Sequence, residues 1–236
     1  MLIPSLEIEM NIRRCARAST IAILVTVPLA AEAQVCTGAA SFSAGPVQIA
    51  AGVGISDGTK SYGARLGAGA ATGVFASAGI VRSEYDDVSG AGIGLELEGG
   101  YAIDLTPAKS IQFCPLASFD YQSGPDVEST AGTITTSAHA VGLGGSLGGV
   151  VPMAPTFDFV PFAGAQYVIS RVSVSVPGFS STESAGYTAV DLGAGFVVNR
   201  TLTLQPSVSI PVGLDGGKAT FQIAFAFNVG PSSARQ

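Results

Sequence analysis

Few residues in this chain have the types and spacing that catalysis requires. The single histidine is His139, and Ser137 stands two positions before it, a pair that a serine–histidine hydrolase would use. The acids Glu96 and Glu98 are also two positions apart, which places both on one face of a β-strand. Paired carboxylates can act as general acid and base, but simple alternation of polar and apolar residues gives the same pattern. Metal binding is disfavoured, because the sequence has no cluster of His and Cys.

The elements that must position these residues are β-strands. From Ile93 to Asp104, the odd positions are Ile, Leu, Leu, Gly, Tyr and Ile, and the even positions are Gly, Glu, Glu, Gly, Ala and Asp. Successive side chains of a strand point to opposite faces, so this segment is apolar on one face and carries three acids on the other. A soluble sandwich would bury the apolar face, whereas a membrane barrel turns it toward lipid and keeps the acids inside.

Composition favours the membrane barrel. Charged residues make up only 12% of the chain and the mean hydropathy is +0.46, yet the body of the chain has no apolar run long enough for a membrane helix. The net charge of −6 argues against a nucleic-acid partner, whose phosphates require clusters of Lys and Arg. A soluble barrel or sandwich in the periplasm is the alternative, and it would be extracted without detergent.

Residues 1–33 have the features of a secretory signal peptide. Three arginines precede an apolar run over residues 21–30, and Ala31-Glu32-Ala33 follows as a small-x-small cleavage site. The start is Met1 or Met10, because two acids between them are foreign to a signal peptide. We expect cleavage near Ala33.

Ten segments alternate and are predicted strands: 45–56, 61–70, 74–85, 91–104, 110–121, 134–151, 158–171, 185–198, 202–212 and 219–228. Eight strands would result if the second and third segments are not strands. The connections fall into a short set, at 71–73, 106–109, 152–157 and 199–201, and a longer set, at 57–60, 86–90, 122–133, 172–184 and 213–218. We interpret the two longest connections as loops without an apolar period. Prolines recur inside three of the strands, at Pro115, Pro161 and Pro206, where we predict bulges near the barrel rim.

The signal peptide, the alternating strands, the prolines near strand starts and the aromatic last strand together resemble the small bacterial outer-membrane β-barrel family. The resemblance covers residues 45–228 and implies an all-β fold, a closed antiparallel up-and-down transmembrane β-barrel with short periplasmic turns and longer external loops. It divides the chain into a signal peptide (1–33), a periplasmic N-terminal lead (34–44), the barrel (45–228) and a C-terminal tail (229–236). Members of the family usually end on a C-terminal Phe, whereas here Phe227 is followed by further residues. The expected location is the bacterial outer membrane.

In such a barrel the polar face of each strand points into the lumen. The polar residues predicted to form a network there are Gln48, Arg65, Glu96, Glu98, Asp104, Gln112, Asp120 and Asp191. Barrels of this size have interiors that side chains nearly fill, and buried charges must be paired, so we expect Arg65 to pair with Glu96 or Glu98. A narrow solute path lined by these groups and a catalytic acid pair are the alternatives.

Two cysteines remain after signal cleavage, Cys36 and Cys114, and in an oxidising compartment an even number favours a disulfide. That bond would fold the N-terminal lead into or under the periplasmic mouth as a small plug. His139 shares a strand face with Val141 and Leu143, so we expect it on the outer surface near the external interface.

Family members have structural, adhesive, defensive, pore-forming and enzymatic roles, so the resemblance implies location more than activity. We expect a structural or surface-interaction role with a largely occluded lumen and no enzymatic activity. A low-conductance channel for small solutes and a barrel-embedded hydrolase are the alternatives. The expected partners are outer-membrane lipid, the barrel assembly machinery and an unidentified external ligand, with no cofactor. Candidate contact residues in the external loops are Asp126, Glu128, Phe179 and Glu183.

Overall fold

The computed structural model describes residues 35–39, 47–70, 72–86, 88–129 and 132–230. The predicted signal peptide and the last residues of the predicted tail lie outside this part of the chain. Within it, every regular element is a β-strand except one 3-10 turn at Val35–Thr37. The described residues contain no helix with the length and apolarity that a bilayer span requires.

Ten strands form one continuous wall: β1 (Val47–Ser56), β2 (Thr59–Gly69), β3 (Val74–Tyr85), β4 (Val88–Tyr101), β6 (Ile111–Ser123), β8 (Gly132–Gly149), β10 (Phe157–Val176), β11 (Phe179–Val198), β12 (Leu202–Val212) and β13 (Thr220–Val229). Three short strands complete the set. The strand β5 (Ile103–Asp104) continues β4 along β6, β7 (Val127–Ser129) pairs with the start of β8, and β9 (Val151–Ala154) continues β8 along β10.

The barrel closes because the first strand pairs with the last. Strands β1 and β13 are antiparallel in unbroken register from Val47 opposite Val229 to Ile55 opposite Phe221. All other neighbours around the ring are antiparallel as well, with β6 between β4 and β8. The prediction of an all-β, closed, antiparallel barrel of ten strands is therefore confirmed. We call the end with the connections at 70–73, 105–110, 155–156 and 199–201 the turn end, and the opposite end the loop end.

The outer surface of the barrel is apolar, as the alternation predicted. On β4, Ile93 is 65% exposed, and Leu95 and Leu97 are each 41% exposed. Glu96 and Glu98, which alternate with these residues, point inward. Large apolar side chains are exposed in the same way on other strands, among them Leu66, Ile80, Leu143, Ile169, Leu192 and Phe225. A monomeric soluble protein rarely exposes so continuous an apolar surface, so this belt is the part of the wall that faces lipid.

The prolines at 115 and 206 interrupt the ladder without the bulges that we predicted, whereas near Pro161 strand β10 has a register shift between Phe157 and Asp158. Gly100 pairs with Leu116 and Ile103 pairs with Phe113, so the register is the same on both sides of Pro115 and only the pairs beside the proline are missing. Similar gaps lie beside Pro161 and Pro206. The cause is that proline has no N–H to donate, and loss of a ladder bond does not require an extra residue.

The prediction of a long loop over residues 172–184 was wrong. Strands β10 and β11 have 20 residues each and are joined at Pro177-Gly178, with Val176 opposite Phe179. Residues 172–176 have the sequence Val-Ser-Val-Ser-Val, which is a period of two, and cross-strand hydroxyl pairs extend it into β11. The hairpin therefore continues well beyond the neighbouring strand β12, which has 11 residues.

Candidate functional site

The centre of the lumen holds one cation among several acids. Arg65 of β2 donates through Nη2 to Oε2 of Glu96 at 3.0 Å, and its Nη1 lies 3.9 Å from Oε1 of Glu98. The register then places Asp120 of β6 opposite Glu96. Asp191 of β11 is close enough to interact electrostatically with Glu98, and it bonds to Ser209. The guanidinium of Arg65 therefore interacts with three carboxylates from two other strands, and Asp191 of a further strand adds a fourth acid beside Glu98.

The remaining predicted lumen residues lie in two separate clusters near the turn end. Gln112 donates through Nε2 to Oδ1 of Asp104 at 2.7 Å, and Nζ of Lys109 lies 3.9 Å from the other oxygen of that carboxylate. Gln48 donates to Oδ1 of Asn228 at 2.9 Å across the β1–β13 seam. The structure thus divides the eight predicted residues into three groups, because the strand register places them at different heights.

Residues Val35–Ala39, which we call the inner segment, are packed inside the turn end of the barrel. Cys36 is bonded to Cys114, with Cα atoms 5.9 Å apart, a separation that is ordinary for a disulfide. The N–H of Val35 donates to Oε1 of Gln112 at 3.1 Å. Val35 and Cys36 are both almost fully buried. The described part of the predicted N-terminal lead thus lies within the mouth of the barrel.

Several residues that hold the inner segment were not singled out from the sequence. Ser146 donates to the carbonyl of Cys36, and Gln205 donates to the carbonyl of Thr37. A Cβ on Gly148 would collide with the carbonyl of Val35, and one on Gly195 would collide with the carbonyl of Gly38. The available indication was the run of glycines on the inward face of β8 and β11, which leaves room for a second chain segment.

A cavity of about 230 Å³ lies between the inner segment and the central charges. Thr37 and Ala39 contribute to its lining at one end, and Arg65, Glu96 and Glu98 line its polar part. Small residues of β1 and β2 widen it on one side. The side chain of Arg65 is 43% exposed, so the central charges are in contact with water. The inner segment thus occupies the turn end of the lumen, and the central charges line the cavity beyond it.

The four candidate contact residues at the loop end do not all lie in loops. Asp126 precedes β7 and is exposed. Glu128 lies in β7 and accepts a hydrogen bond from Oγ1 of Thr133 at 2.9 Å. Phe179 and Glu183 lie in β11, with Phe179 67% exposed and Glu183 opposite Val172. The loop assignment of these last three residues was wrong, because their segments pair as strands.

The loop-end part of β11 has a free edge. From Phe179 to Tyr187 it pairs with β10 on one side. Pairing with β12 on the other side starts only at Thr188, opposite Val212. No strand of the described chain covers that edge, so a row of backbone N–H and C=O groups faces solvent.

His139 is exposed on the outer face of β8, opposite Tyr121 on β6 and Arg171 on β10. Val141 follows on the same face, as the alternation predicted. Among the described residues, His139 has no hydrogen bond to a serine or a carboxylate, and no group of three or more His, Cys, Asp or Glu is placed to hold a metal ion. This geometry offers no assembled nucleophile and base.

A closed, ten-stranded antiparallel barrel with an apolar belt outside and charges inside is a transmembrane β-barrel. The chain belongs to the outer membrane protein beta-barrel domain family, whose model matches residues 22–228. It is therefore an outer-membrane protein. No match was found among curated proteins.

Several solved structures are similar to this chain at low sequence identity. They include the N-terminal β-barrel domain of Pseudomonas aeruginosa OprF, with 11% identity, 78% of this chain and 96% of that chain covered, and a TM-score of 0.35. The β-domain of the Bordetella autotransporter BrkA has 13% identity, coverage of 78% and 98%, and a TM-score of 0.48. Ail of Yersinia pestis, solved in complex with the heparin analogue sucrose octasulfate, has 14% identity, coverage of 77% and 93%, and a TM-score of 0.41. No functional conclusion follows from these similarities.

Proposed function

We propose that this protein is a surface-interaction barrel. In this proposal the turn end lies in the periplasm, the lumen is largely occluded, and the hairpin of β10 and β11 binds an extended segment of an external polypeptide. The observation that carries the proposal is the free edge of β11 from Phe179 to Tyr187. Cleavage near Ala33 and insertion by the barrel assembly machinery are part of the same proposal.

A free strand edge binds polypeptides through its backbone. An incoming strand satisfies the unpaired N–H and C=O groups, and side-chain contacts then select among sequences. Natural edges are normally blocked by Lys, Pro or short length, yet Phe179 to Tyr187 contains neither Lys nor Pro. The edge is therefore available to a partner strand.

The inward face of the same hairpin supports a polypeptide partner. Val172 and Val174 are 45% and 40% exposed, and Phe179 at the tip is 67% exposed. Glu183 lies beside Val172 on this face and would favour a basic residue in the partner. An apolar stripe next to one acid suits an extended peptide that alternates apolar residues with a Lys or Arg.

The test replaces Ser173–Thr182 with Asn-Gly. A two-residue turn then joins Val172 to Glu183, which already face each other, so the barrel keeps its register. A displayed library of random peptides is selected against the purified intact protein and against this variant. We expect proline-free, extended sequences to be enriched on the intact protein only. The variant lacks the hairpin tip and residues 179–182 of the edge, so equal enrichment on both proteins would contradict peptide binding there. The gel mobility of the unboiled variant shows whether its barrel has formed.

The second candidate function is a low-conductance channel, which the hydrated cavity beside Arg65 favours. Because the inner segment fills the turn end, we expect no discrete conductance steps from the oxidised protein in a planar bilayer. Steps in the oxidised protein would favour the channel over the occluded barrel. Steps that appear only after the Cys36–Cys114 bond is reduced would show that the inner segment closes the path.

A further inference from the structure

The outer wall formed by β6, β8, β10 and β11 changes its chemistry in steps toward the loop end. The register defines three successive rows on the outward face. The first row is apolar, with Phe119, Val141 and Ile169 exposed. The second, which we call the boundary row, contains Tyr121, His139, Arg171 and Ser184. The third row consists only of hydroxyl residues: Ser123, Ser137, Ser173 and Thr182.

This sequence of rows marks where the lipid-facing belt ends on each of these strands. Ile169 below the boundary row is 58% exposed and continues the apolar belt of the wall. Above that row, Ser173 is hydrogen bonded to Thr182 at 3.0 Å and Ser175 to Ser180 at 3.2 Å, as suits a surface in water. An aromatic ring with basic side chains between the two regions lies where lipid headgroups lie.

Arg171 in the boundary row has no carboxylate partner among the described residues. Its Nε donates to Oγ of Ser184 at 3.3 Å, which leaves the two terminal nitrogens of the guanidinium available. Arg82, an outward-facing arginine of β3, is paired with Glu84 at 3.1 Å. A guanidinium without a carboxylate is suited to bind a phosphate with two parallel hydrogen bonds.

A pocket of about 460 Å³ opens on the same wall and includes part of the boundary row. Its lining contains Tyr121 and hydroxyl residues of the rows above it, Ser123, Thr135, Ser137, Ser173 and Ser175. Asp126 contributes a carboxylate at its rim. Hydroxyls and a carboxylate pair with sugar hydroxyls, and a tyrosine ring offers a flat surface for a sugar ring.

We propose that the boundary row and this pocket bind the phosphorylated sugar headgroup of a glycolipid in the outer leaflet. Arg171, with His139 beside it, contacts the phosphate, and the hydroxyl residues contact the sugar. The acyl chains lie along Val141 and Ile169. This inference rests on the proposed orientation, in which the loop end is outside, but it does not require the β11 edge to bind a peptide.

The test measures binding of a bisphosphorylated diglucosamine lipid to the purified mature protein in detergent by native mass spectrometry. We expect Arg171→Gln to weaken binding by about tenfold or more, because a charged hydrogen-bond pair is lost. Arg82→Gln is the matched control, and we expect it to bind as the unaltered protein does. The double variant Ser137→Ala, Ser173→Ala tests the sugar contacts, and we expect it to weaken binding as well.

Three results would overturn the proposal. One is an equal loss of binding in Arg171→Gln and Arg82→Gln, which would indicate unspecific attraction between charges. Another is unchanged affinity for the dephosphorylated lipid, which would exclude a phosphate contact. The third is equal affinity for the soluble sugar, glucosamine 6-phosphate, which would indicate a soluble ligand instead of a membrane lipid. Folding of each variant is checked by its gel mobility before boiling.

Discussion

At the scale of single residues, glycine decides what the turn end of the lumen can hold. Gly148 and Gly195 lie where the backbone of the inner segment passes, so a side chain at either position would occupy the space of a carbonyl oxygen. Gly149 is the neighbour of Gly148 on the other strand face, and a Cβ there would meet nothing closer than 3.4 Å. The two positions are adjacent in sequence, but only Gly149 has room for a side chain.

We expect Gly148→Ala to destabilise the folded barrel by about 1–3 kcal/mol, because the inner segment must move to admit the new methyl group. Gly149→Ala is the control and should change the stability by no more than about 0.5 kcal/mol. Urea unfolding in detergent measures both. Equal stabilities of the two variants would contradict the placement of the inner segment against β8.

Arg65 is the residue on which the central charges depend. It is the cation that interacts with Glu96, Glu98 and Asp120, so its loss would leave these acids facing one another. Because its side chain is 43% exposed, water screens the pairs, and each ion pair is worth little by itself.

A double-mutant cycle with Arg65→Gln and Glu96→Gln should therefore give a coupling free energy of about 0.2–1 kcal/mol. We expect Arg65→Gln to be less stable than Glu96→Gln. In the double variant, Glu96→Gln should restore part of the lost stability, because it removes one of the acids that repel one another. The outward pair Arg82 and Glu84 is the matched control. A coupling of zero in the lumen would show that the 3.0 Å contact contributes no stability.

At the scale of elements, the inner segment acts as a short strap held by one covalent bond. The Cys36–Cys114 bond spans 78 residues of sequence, and the hydrogen bonds of Val35, Cys36 and Thr37 add contacts to three strands. Cross-links over long loops restrict the unfolded chain most, so this bond stabilises the barrel as well as retaining the strap.

We expect the reduced protein to be less stable than the oxidised protein by about 2–4 kcal/mol. The measurement is the temperature at which the folded band disappears from a gel, with and without reductant. The double variant Cys36→Ser, Cys114→Ser should match the reduced protein and should not respond to reductant. Titration of two free thiols in the denatured, unreduced mature protein would contradict the bond.

At the scale of the whole molecule, the wall is uneven. Strands β12, β13, β1 and β2 have 10 or 11 residues, whereas β8, β10 and β11 have 18 to 20. The short strands are long enough to cross a bilayer, and the long strands must extend beyond it. The ring is closed at the level of the short strands, because β1 pairs with β13, and the free edge of β11 lies where the long hairpin rises above them.

We expect the detergent-extracted protein to migrate differently on a denaturing gel before and after boiling. A closed hydrogen-bonded ring resists detergent until heat opens it, since opening must break a complete ladder. The outcome that would contradict a membrane barrel is a protein that is extracted without detergent and shows no shift. A variant with Ala51→Pro, which removes one donor from β1 beside the seam, should lose the folded band at a lower temperature.

Much of the fold was determined by the sequence itself. Strict alternation, as in Ile93 to Asp104, specifies both the strand and the face that meets lipid, because side chains of a strand alternate by geometry alone. The same reasoning predicted closure by ten strands and the outward position of His139. The prediction failed at residues 172–184, where abundant serine was interpreted as a loop although valine still alternated with it. The serine content of this segment was weighted more heavily than its two-residue alternation, although the alternation is what predicts a strand.

Only the tertiary structure decided which residues meet. Arg65 and Glu96 are on different strands, and their contact depends on the register between β2, β3 and β4, which pattern alone does not fix. The seating of the inner segment depends on glycines from β8 and β11, which come to the same part of the inner wall only because both strands pair with β10. The free edge of β11 exists because β12 ends early, which is a difference in length between neighbours in space. A periodic sequence specifies which face of its strand each side chain occupies. Which side chain it contacts is decided by the register of the folded ring.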